Sequence, residues 1–454
     1  MRHQGRAILA LLGPILISQY AYLGNSVIDT LMVGRLGSAS LGGVAVGAAI
    51  WVPLQMFVAG LLYGALILFS QSAGQNEREK LPGMTQQAAW LSVALACLMT
   101  AAVYAVLPHL TRFGTTPDVA GEAARYLGHL AWGMPFIGVA VSVRFYCEGQ
   151  KVALPATVIT LLTLGGNAAL NYALIFGAFG FPKMGVAGCG LATAVSMLLN
   201  TLLYVGYTAF APRFAGFRPF NRFHRPQWKP MSEILHIGLP IAFATVCEFL
   251  VLSVMAIFIS SLGAVPIAAH QITFNFTMIL FTVSSSLAVV TSILVGTAHG
   301  AGDAVAKKEL VTASLILSGS VGIALTAVMF SFSESIATRY TDDPAVIGLC
   351  RHLFFVAGFF QFFDAVQVNM NCALRGIGDS LYPFLAILCV YWLLAMPTGY
   401  FLAGMRLPFG LDAWSPALGA EGWWTGLTCG IVAIALCMAI RVRKQFFRPD
   451  ARKM

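Results

Sequence analysis

Twelve apolar runs, each long enough to cross a bilayer, constrain this chain more than any other feature. A spanning helix needs about 20 mostly apolar residues. Such runs are read at 7–33, 41–70, 84–107, 120–143, 155–176, 186–210, 232–260, 267–296, 310–332, 345–372, 382–404 and 420–441. An open sheet leaves backbone groups unpaired in lipid, and the alternation of barrel strands is absent, so the spans are predicted to be helices. Composition points the same way. Charged residues are 10% of the chain and hydrophobic ones 58%, whereas a soluble protein carries about 25% charged residues. The predicted fold class is an all-α polytopic membrane protein.

The first apolar run continues past Tyr20 to Met32 without a small-residue cleavage site. It is therefore read as a retained span rather than a signal peptide. The net charge of +9 does not point to nucleic acid, because the basic residues lie in short loops and not on one face of a domain. Twenty of the 27 Lys and Arg fall on the side that holds both termini and the 211–231 linker, against seven on the other. The excess of Lys and Arg predicts that both termini and the linker are cytoplasmic. The nine cysteines show neither CxxC nor metal-ligand spacing. No structural metal or organic cofactor is expected.

The linker 211–231 divides the chain into an N-terminal six-span lobe, 1–210, and a C-terminal one, 232–454, which ends in a short basic tail. The halves match internally. Pro14 corresponds to Pro240, Leu36-Gly37 to Leu262-Gly263, Gly149 to Gly376, Pro155 to Pro383, and Gly185 and Gly188 to Gly419 and Gly422. With an even number of spans in each half, the two share one orientation, a parallel repeat of the kind used by secondary transporters.

Three of the 18 acidic residues sit deep inside apolar runs, Asp29, Glu248 and Asp364, whereas most of the others lie in loops or at span ends. Apart from Arg351 at the outer end of span 10, no Lys or Arg is expected inside spans 1, 7 or 10 to neutralise them. An intramembrane carboxylate is costly and normally faces a cavity, a partner or a cation. A proton or cation from outside is the expected companion, and a group that exchanges one is what a coupling site needs. Polar stripes at helical spacing accompany these residues: Ser18, Tyr22, Asn25/Ser26 and Asp29 on span 1, and Thr163, Asn167 and Asn171 on span 5. Span 8 carries Gln271, Asn275, Thr282 and Ser286, and span 10 carries Gln361, Asp364, Gln367 and Asn371. The stripes either wall an internal cavity or supply hydrogen bonds between helices. The phenylalanines of span 10 read first as lipid-facing packing. Phe360 and Phe363 lie near the Asp364 face, where an aromatic surface suits an organic cation.

In these residues the chain resembles the multidrug and toxic compound extrusion (MATE) family, NorM-like branch. The resemblance rests on Val27-Ile28-Asp29-Thr30-Leu31-Met32-Val33-Gly34 and Gly185-Val186-Ala187-Gly188-Cys189-Gly190-Leu191-Ala192-Thr193, and on Asn167 to Asn171-Tyr172, Leu374-Arg375-Gly376 and the six-plus-six repeat. It implies a V-shaped pair of six-helix lobes in a bacterial inner membrane. It also implies a monomer that exports small amphipathic organic cations in exchange for inward H+ or Na+. By position, Asp29, Asn167, Asn171 and Thr193 would form an N-lobe cation site, and Glu248 and Asp364 a C-lobe site able to hold Na+. Asp343 would by position contact the substrate, and the polar stripes and aromatic face read above add Gln271, Asn275, Phe360, Gln361 and Gln367 as candidate substrate contacts. Phe360 replaces a tyrosine found in some relatives, which removes a Na+ ligand and leaves H+ open.

Among other classes, an ATP-driven pump lacks its Walker A motif, and HExxH is absent. Gly376-Ile377-Gly378-Asp379 matches the GxGD of intramembrane aspartyl proteases but falls in a turn after span 10, so no enzyme is expected. A channel conflicts with the repeat and its buried carboxylates. The nearest rival is a flippase for a lipid-linked precursor, which would be expected to carry basic rather than acidic groups in its cavity.

Overall fold

The computed structural model describes residues 2–113, 116–405 and 415–447. Arg406, Arg448, Arg452 and Lys453 of the loop-charge count, and the end of the basic tail, lie outside the described residues. Twelve helices are long and apolar enough to span a membrane. They are α1 (Gln4–Gly34), α2 (Ser38–Gly74), α3 (Arg78–Arg112), α4 (Pro117–Gly149), α5 (Leu154–Phe176) and α6 (Val186–Phe210). The second set is α7 (Trp228–Ser260), α8 (Ala264–Gly300), α9 (Ala304–Tyr340), α10 (Pro344–Gly376), α11 (Leu381–Leu402) and α12 (Ala420–Phe447). No strand occurs among the described residues.

Most helices overrun the apolar stretches that predict them, because backbone hydrogen bonding continues into the interface after hydropathy falls. Two overruns matter. α4 runs on to Gly149 and takes in Arg144, which the sequence reading places in a loop. α10 runs on to Gly376 and takes Arg375 into its last turn. Local chemistry sets the other ends. Asp303 starts α9 by accepting from the Ala306 N–H at 2.8 Å, and Asp343 starts α10 by accepting from the Ala345 N–H at 2.9 Å, with Pro344 at the first helical position.

The chain forms two compact units. One is Gly13–Ala242; the other runs from Phe243 onward and includes the first turns of the chain up to Leu12. Both divisions fall inside helices, beside Pro14 and Pro240. Close backbone packing holds the start of α7 in the first unit: a Cβ on Gly60 would lie 2.8 Å from the Ala242 Cα. This division follows packing; the internal repeat, which sets 1–210 beside 232–454, divides the same chain by sequence.

Within each unit the repeated glycines perform the same task. A Cβ on Gly188 would lie 2.5 Å from the Leu174 carbonyl oxygen, and one on Gly422 would lie 2.5 Å from the Leu402 carbonyl carbon. The first helix turn of α6, and likewise of α12, rests directly on the end of the preceding span. Small residues permit such approach where lipid gives helices no hydrophobic reason to associate. Gly37 and Gly263 open α2 and α8 at φ 118° and 120°, a backbone region closed to most side chains.

A valine at Gly188 must displace backbone, and overpacking of this kind costs about 1–3 kcal/mol. Gly165 faces open space. Gly188→Val is expected to lower the thermal unfolding midpoint in detergent by several degrees, with Gly165→Val near wild type. Equal midpoints for the two variants would remove the packing argument.

Candidate functional site

In the first unit, Asp29 lies five residues from the end of α1 and is only 7% exposed. α5 and α6 bring neutral donors to it. Asn171 Nδ2 donates to Asp29 Oδ1 at 2.6 Å, and the Thr193 hydroxyl reaches Oδ2 at 3.4 Å. The ring closes on itself: Asn171 Nδ2 also donates to Asn167 Oδ1 at 2.9 Å, and Asn167 Nδ2 reaches Thr193 Oγ1 at 3.5 Å. Asn167 and Asn171 face the same way because they are four residues apart on one helix. Tyr126 of α4 and Cys189 of α6, which sequence spacing did not single out, lie close enough to feel the Asp29 charge. Asp29 makes no ion pair among the described residues.

The remainder of the α1 stripe does not join this ring. Ser18 donates to Thr157 Oγ1 at 3.1 Å, and Thr157 donates to the Pro14 carbonyl at 2.7 Å, a bond that links α5 to the proline kink of α1. Tyr22 packs under Arg144, whose guanidinium carbon is 5.2 Å from its ring centre and 4.9 Å from that of Phe145. Arg144 Nε stands 3.6 Å from Glu148 Oε1 one helical turn on. This guanidinium is therefore a buried member of α4, engaged with its own glutamate, and not a loop charge.

In the second unit, Glu248 sits near the middle of α7 and is half-buried, while Asp364 on α10 is 7% exposed. The two carboxylates are near enough to repel each other. Tyr391 of α11 is buried and close enough to feel both charges, and it was not legible in the sequence. It stands on a different helix than the one on which Phe360 lacks a phenol oxygen. Phe360 instead packs edge-on against Trp424, with ring centres 6.1 Å apart.

The expectation that no basic residue accompanies the carboxylates needs correction at Glu248, on which the Arg375 charge acts. The cause is the overrun of α10 past residue 372. Neither Glu248 nor Asp364 makes an ion pair among the described residues.

The predicted substrate contacts separate into three groups. Gln361 and Gln367 are buried on α10 with side-chain nitrogens that lack a hydrogen-bond partner, and Gln361 Oε1 lacks one as well. Such groups call for water or ligand. Gln271 and Asn275 lie exposed on α8, apart from the buried Thr282 and Ser286 of the same stripe. Asp343 caps the start of α10, 21 residues from Asp364, about 30 Å along the helix. The structure does not bring it to the carboxylate pair. Asp379, of the protease-like motif, accepts from Arg441 Nε at 2.6 Å. A carboxylate held in an ion pair is not one of two acids sharing a proton.

The MatE family model matches residues 14–173 and 240–401, once in each half of the repeat. The chain belongs to the MatE family. It is 33% identical over 443 residues to multidrug resistance protein MdtK of Edwardsiella ictaluri, covering 97% of this chain and 95% of that one. It is 35% identical over 454 residues to a probable multidrug resistance protein NorM of Shewanella oneidensis, covering 98% and 96%. Among solved structures, the eukaryotic MATE transporter AtDTX14 superposes with a TM-score of 0.87 at 21% identity, covering 99% of this chain and 98% of that one. A MATE transporter in complex with MaL6 gives 0.87 at 19%, covering 98% and 96%. This MatE protein is thus an integral membrane transporter and not an enzyme.

In this MatE chain the bond from Asn171 to Asp29 is the shortest link in the ring. A hydrogen bond to a charged group contributes about 1.5–3 kcal/mol. A double-mutant cycle of Asp29→Asn and Asn171→Ala, read as unfolding free energy in detergent, is expected to give a coupling of about 1 kcal/mol or more. Additive effects would mean that the ring does not hold the carboxylate.

Proposed function

We propose that the protein is a secondary antiporter that exports small amphipathic organic cations in exchange for inward H+ or Na+. The carrying observation is a set of three intramembrane carboxylates, none of them in an ion pair among the described residues. The multidrug resistance names of its relatives support drug extrusion. A lipid-linked precursor carries phosphate, for which acidic sites are the wrong sign.

The magnitudes favour an exchangeable cation. A charge at the centre of a span costs about 2.5–3.5 kcal/mol or more. One good hydrogen bond to a charged group offsets about 1.5–3 kcal/mol of this. Asp29 has one such bond; Glu248 and Asp364 lie beside each other and add mutual repulsion. A proton, a sodium ion or a cationic substrate relieves the remainder, and these three compete for the same oxygens. In the outward-open state the inorganic ion neutralises the carboxylates and the substrate leaves. In the inward-open state the ion departs and substrate binds. A net inward charge gains about 2.3 kcal/mol per 100 mV, whereas one-for-one exchange of monovalent cations is electroneutral and draws only on the chemical gradient. A chemical gradient adds about 1.4 kcal/mol per tenfold ratio.

In this reading Asp29, Asn167, Asn171 and Thr193 make one cation site, and Glu248 and Asp364 the other. Tyr391 supplies an oxygen that makes Na+ as well as H+ chemically suitable there. The excess of Lys and Arg on one side of the spans supports a topology with both termini and the linker on the cytoplasmic side of a bacterial inner membrane.

Asp29→Asn, Glu248→Gln and Asp364→Asn are each expected to insert and fold normally yet lower ethidium efflux at least tenfold. In proteoliposomes, drug movement should follow an imposed pH or Na+ gradient and stop when both are collapsed. Wild-type efflux by all three variants would refute the assignment.

A further inference from the structure

The segment joining the two halves is not a slack connection. Two glutamines near the start of α3 grip its backbone. Gln86 Nε2 donates to the carbonyls of Pro219 and Arg222, and Gln86 Oε1 accepts from the His224 N–H at 2.7 Å. Gln87 Nε2 donates to the Arg225 carbonyl at 2.9 Å and its Oε1 accepts from the Gln227 N–H at 2.8 Å. Trp90 Nε1 donates to the His224 carbonyl at 3.2 Å. With the backbone spent on α3, the side chains of Arg222, Phe223, Arg225, Trp228 and Lys229 are exposed, Phe223 and Trp228 at 74% each.

Three features of this strap converge on one ligand. Its charge is dominantly positive: residues 211–231 hold five basic residues and no acidic one, and the nearest carboxylate along the chain is exposed Glu233, one turn beyond Lys229. Arg222, Arg225 and Lys229 make no ion pair among the described residues. Of the carboxylates in the adjoining α2–α3 turn, Glu77 is already paired with Lys80 at 2.8 Å, leaving Glu79. The second feature is aromatic. Large exposed rings beside Arg and Lys are the composition of a membrane interface. The third is a groove of about 270 Å³ beneath the strap, lined by Ala89, Trp90, Val93, Val139, Phe220 and Phe223. From Gln86 to Val93 it runs about 10 Å along α3, away from the strap and into the span. Drug-sized pockets hold about 300–1,000 Å³. This one is smaller and mostly apolar, with Gln86 its one polar lining residue, and it opens beside unpaired positive charge.

We infer that the strap is a binding site for one anionic phospholipid of the adjoining leaflet. Its phosphate sits among Arg222, Arg225 and Lys229, and part of an acyl chain lies in the groove against Trp90 and Phe223. The inner leaflet is the anionic surface that juxtamembrane basic clusters attract. Neither cation coupling nor drug binding uses these residues, so the inference stands apart from the transport reading.

The test is native mass spectrometry of the purified full-length protein in neutral detergent, titrated with phosphatidylglycerol or phosphatidylcholine. The wild type is expected to hold one phosphatidylglycerol at least tenfold more tightly than phosphatidylcholine. Each basic residue near such a surface is worth roughly fivefold in affinity. The triple variant Arg222→Ala, Arg225→Ala, Lys229→Ala should therefore weaken that lipid on the order of a hundredfold. Arg222→Lys with Arg225→Lys should retain it, and Val93→Trp should weaken it by filling the groove without changing charge. An unchanged thermal midpoint for each variant checks folding. Three results would overturn the inference: undiminished phosphatidylglycerol in the triple variant, equal retention of phosphatidylcholine, or displacement by millimolar glycerol 3-phosphate, which would assign the site to a free phosphate ester.

Discussion

The molecule depends on carboxylates kept inside apolar helices with no salt bridge among the described residues. Each is costly to ionise where it stands, and the chain answers that cost only in part. At Asp29 the answer is a ring of neutral donors, Asn167, Asn171 and Thr193, closed through hydrogen bonds of 2.6 to 3.5 Å. A lysine or arginine in that position would have made a stable ion pair and a dead site, because a permanent partner leaves nothing to exchange. At Glu248 and Asp364 the compensation is weaker still. The two acids are near enough to repel each other, Tyr391 lies within reach of both charges, and the Arg375 charge acts on Glu248. The incomplete neutralisation is the property an exchanger requires.

Arg144 shows what the alternative looks like in the same molecule. It is buried, lies on two aromatic rings and is engaged with Glu148. A buried pair of this kind loses much when one partner is removed, on the order of 3–5 kcal/mol, but contributes little net stability. It holds a fixed charge arrangement, whereas Asp29 holds an open one. The two lie in the same unit and share α1 as a wall, Tyr22 serving one and Asp29 the other.

Much of this was legible before any coordinates. The twelve spans followed from hydropathy, and the repeat followed from glycines and prolines whose spacing the packing explains: Gly188 and Gly422 each rest on the end of the preceding span. The Asp29 ring was readable because four-residue spacing puts Asn167 and Asn171 on one face and because a carboxylate in an apolar run stands out. What hydropathy hides is the helix that outlives its apolar stretch. Arg144 and Arg375 fall just beyond the apolar runs 120–143 and 345–372 for that reason. Tyr391 gave no signal, because one tyrosine in an apolar span is ordinary. The glutamines of the strap were missed because their partners are backbone carbonyls about 135 residues away, which side-chain pattern cannot reveal. Asp343 misled in the other direction: an acidic residue before Pro344 is first of all a helix cap.

The central claim is that an inorganic cation and the substrate compete for the same carboxylate oxygens. The direct measurement is the ion released when an organic cation binds purified protein in weakly buffered detergent solution, followed by pH and by a Na+-selective electrode. The account predicts about one H+ or Na+ released per monovalent cation bound, and none from a protein with Asp29, Glu248 and Asp364 all neutralised. Full-affinity binding of the organic cation with no ion released would contradict it.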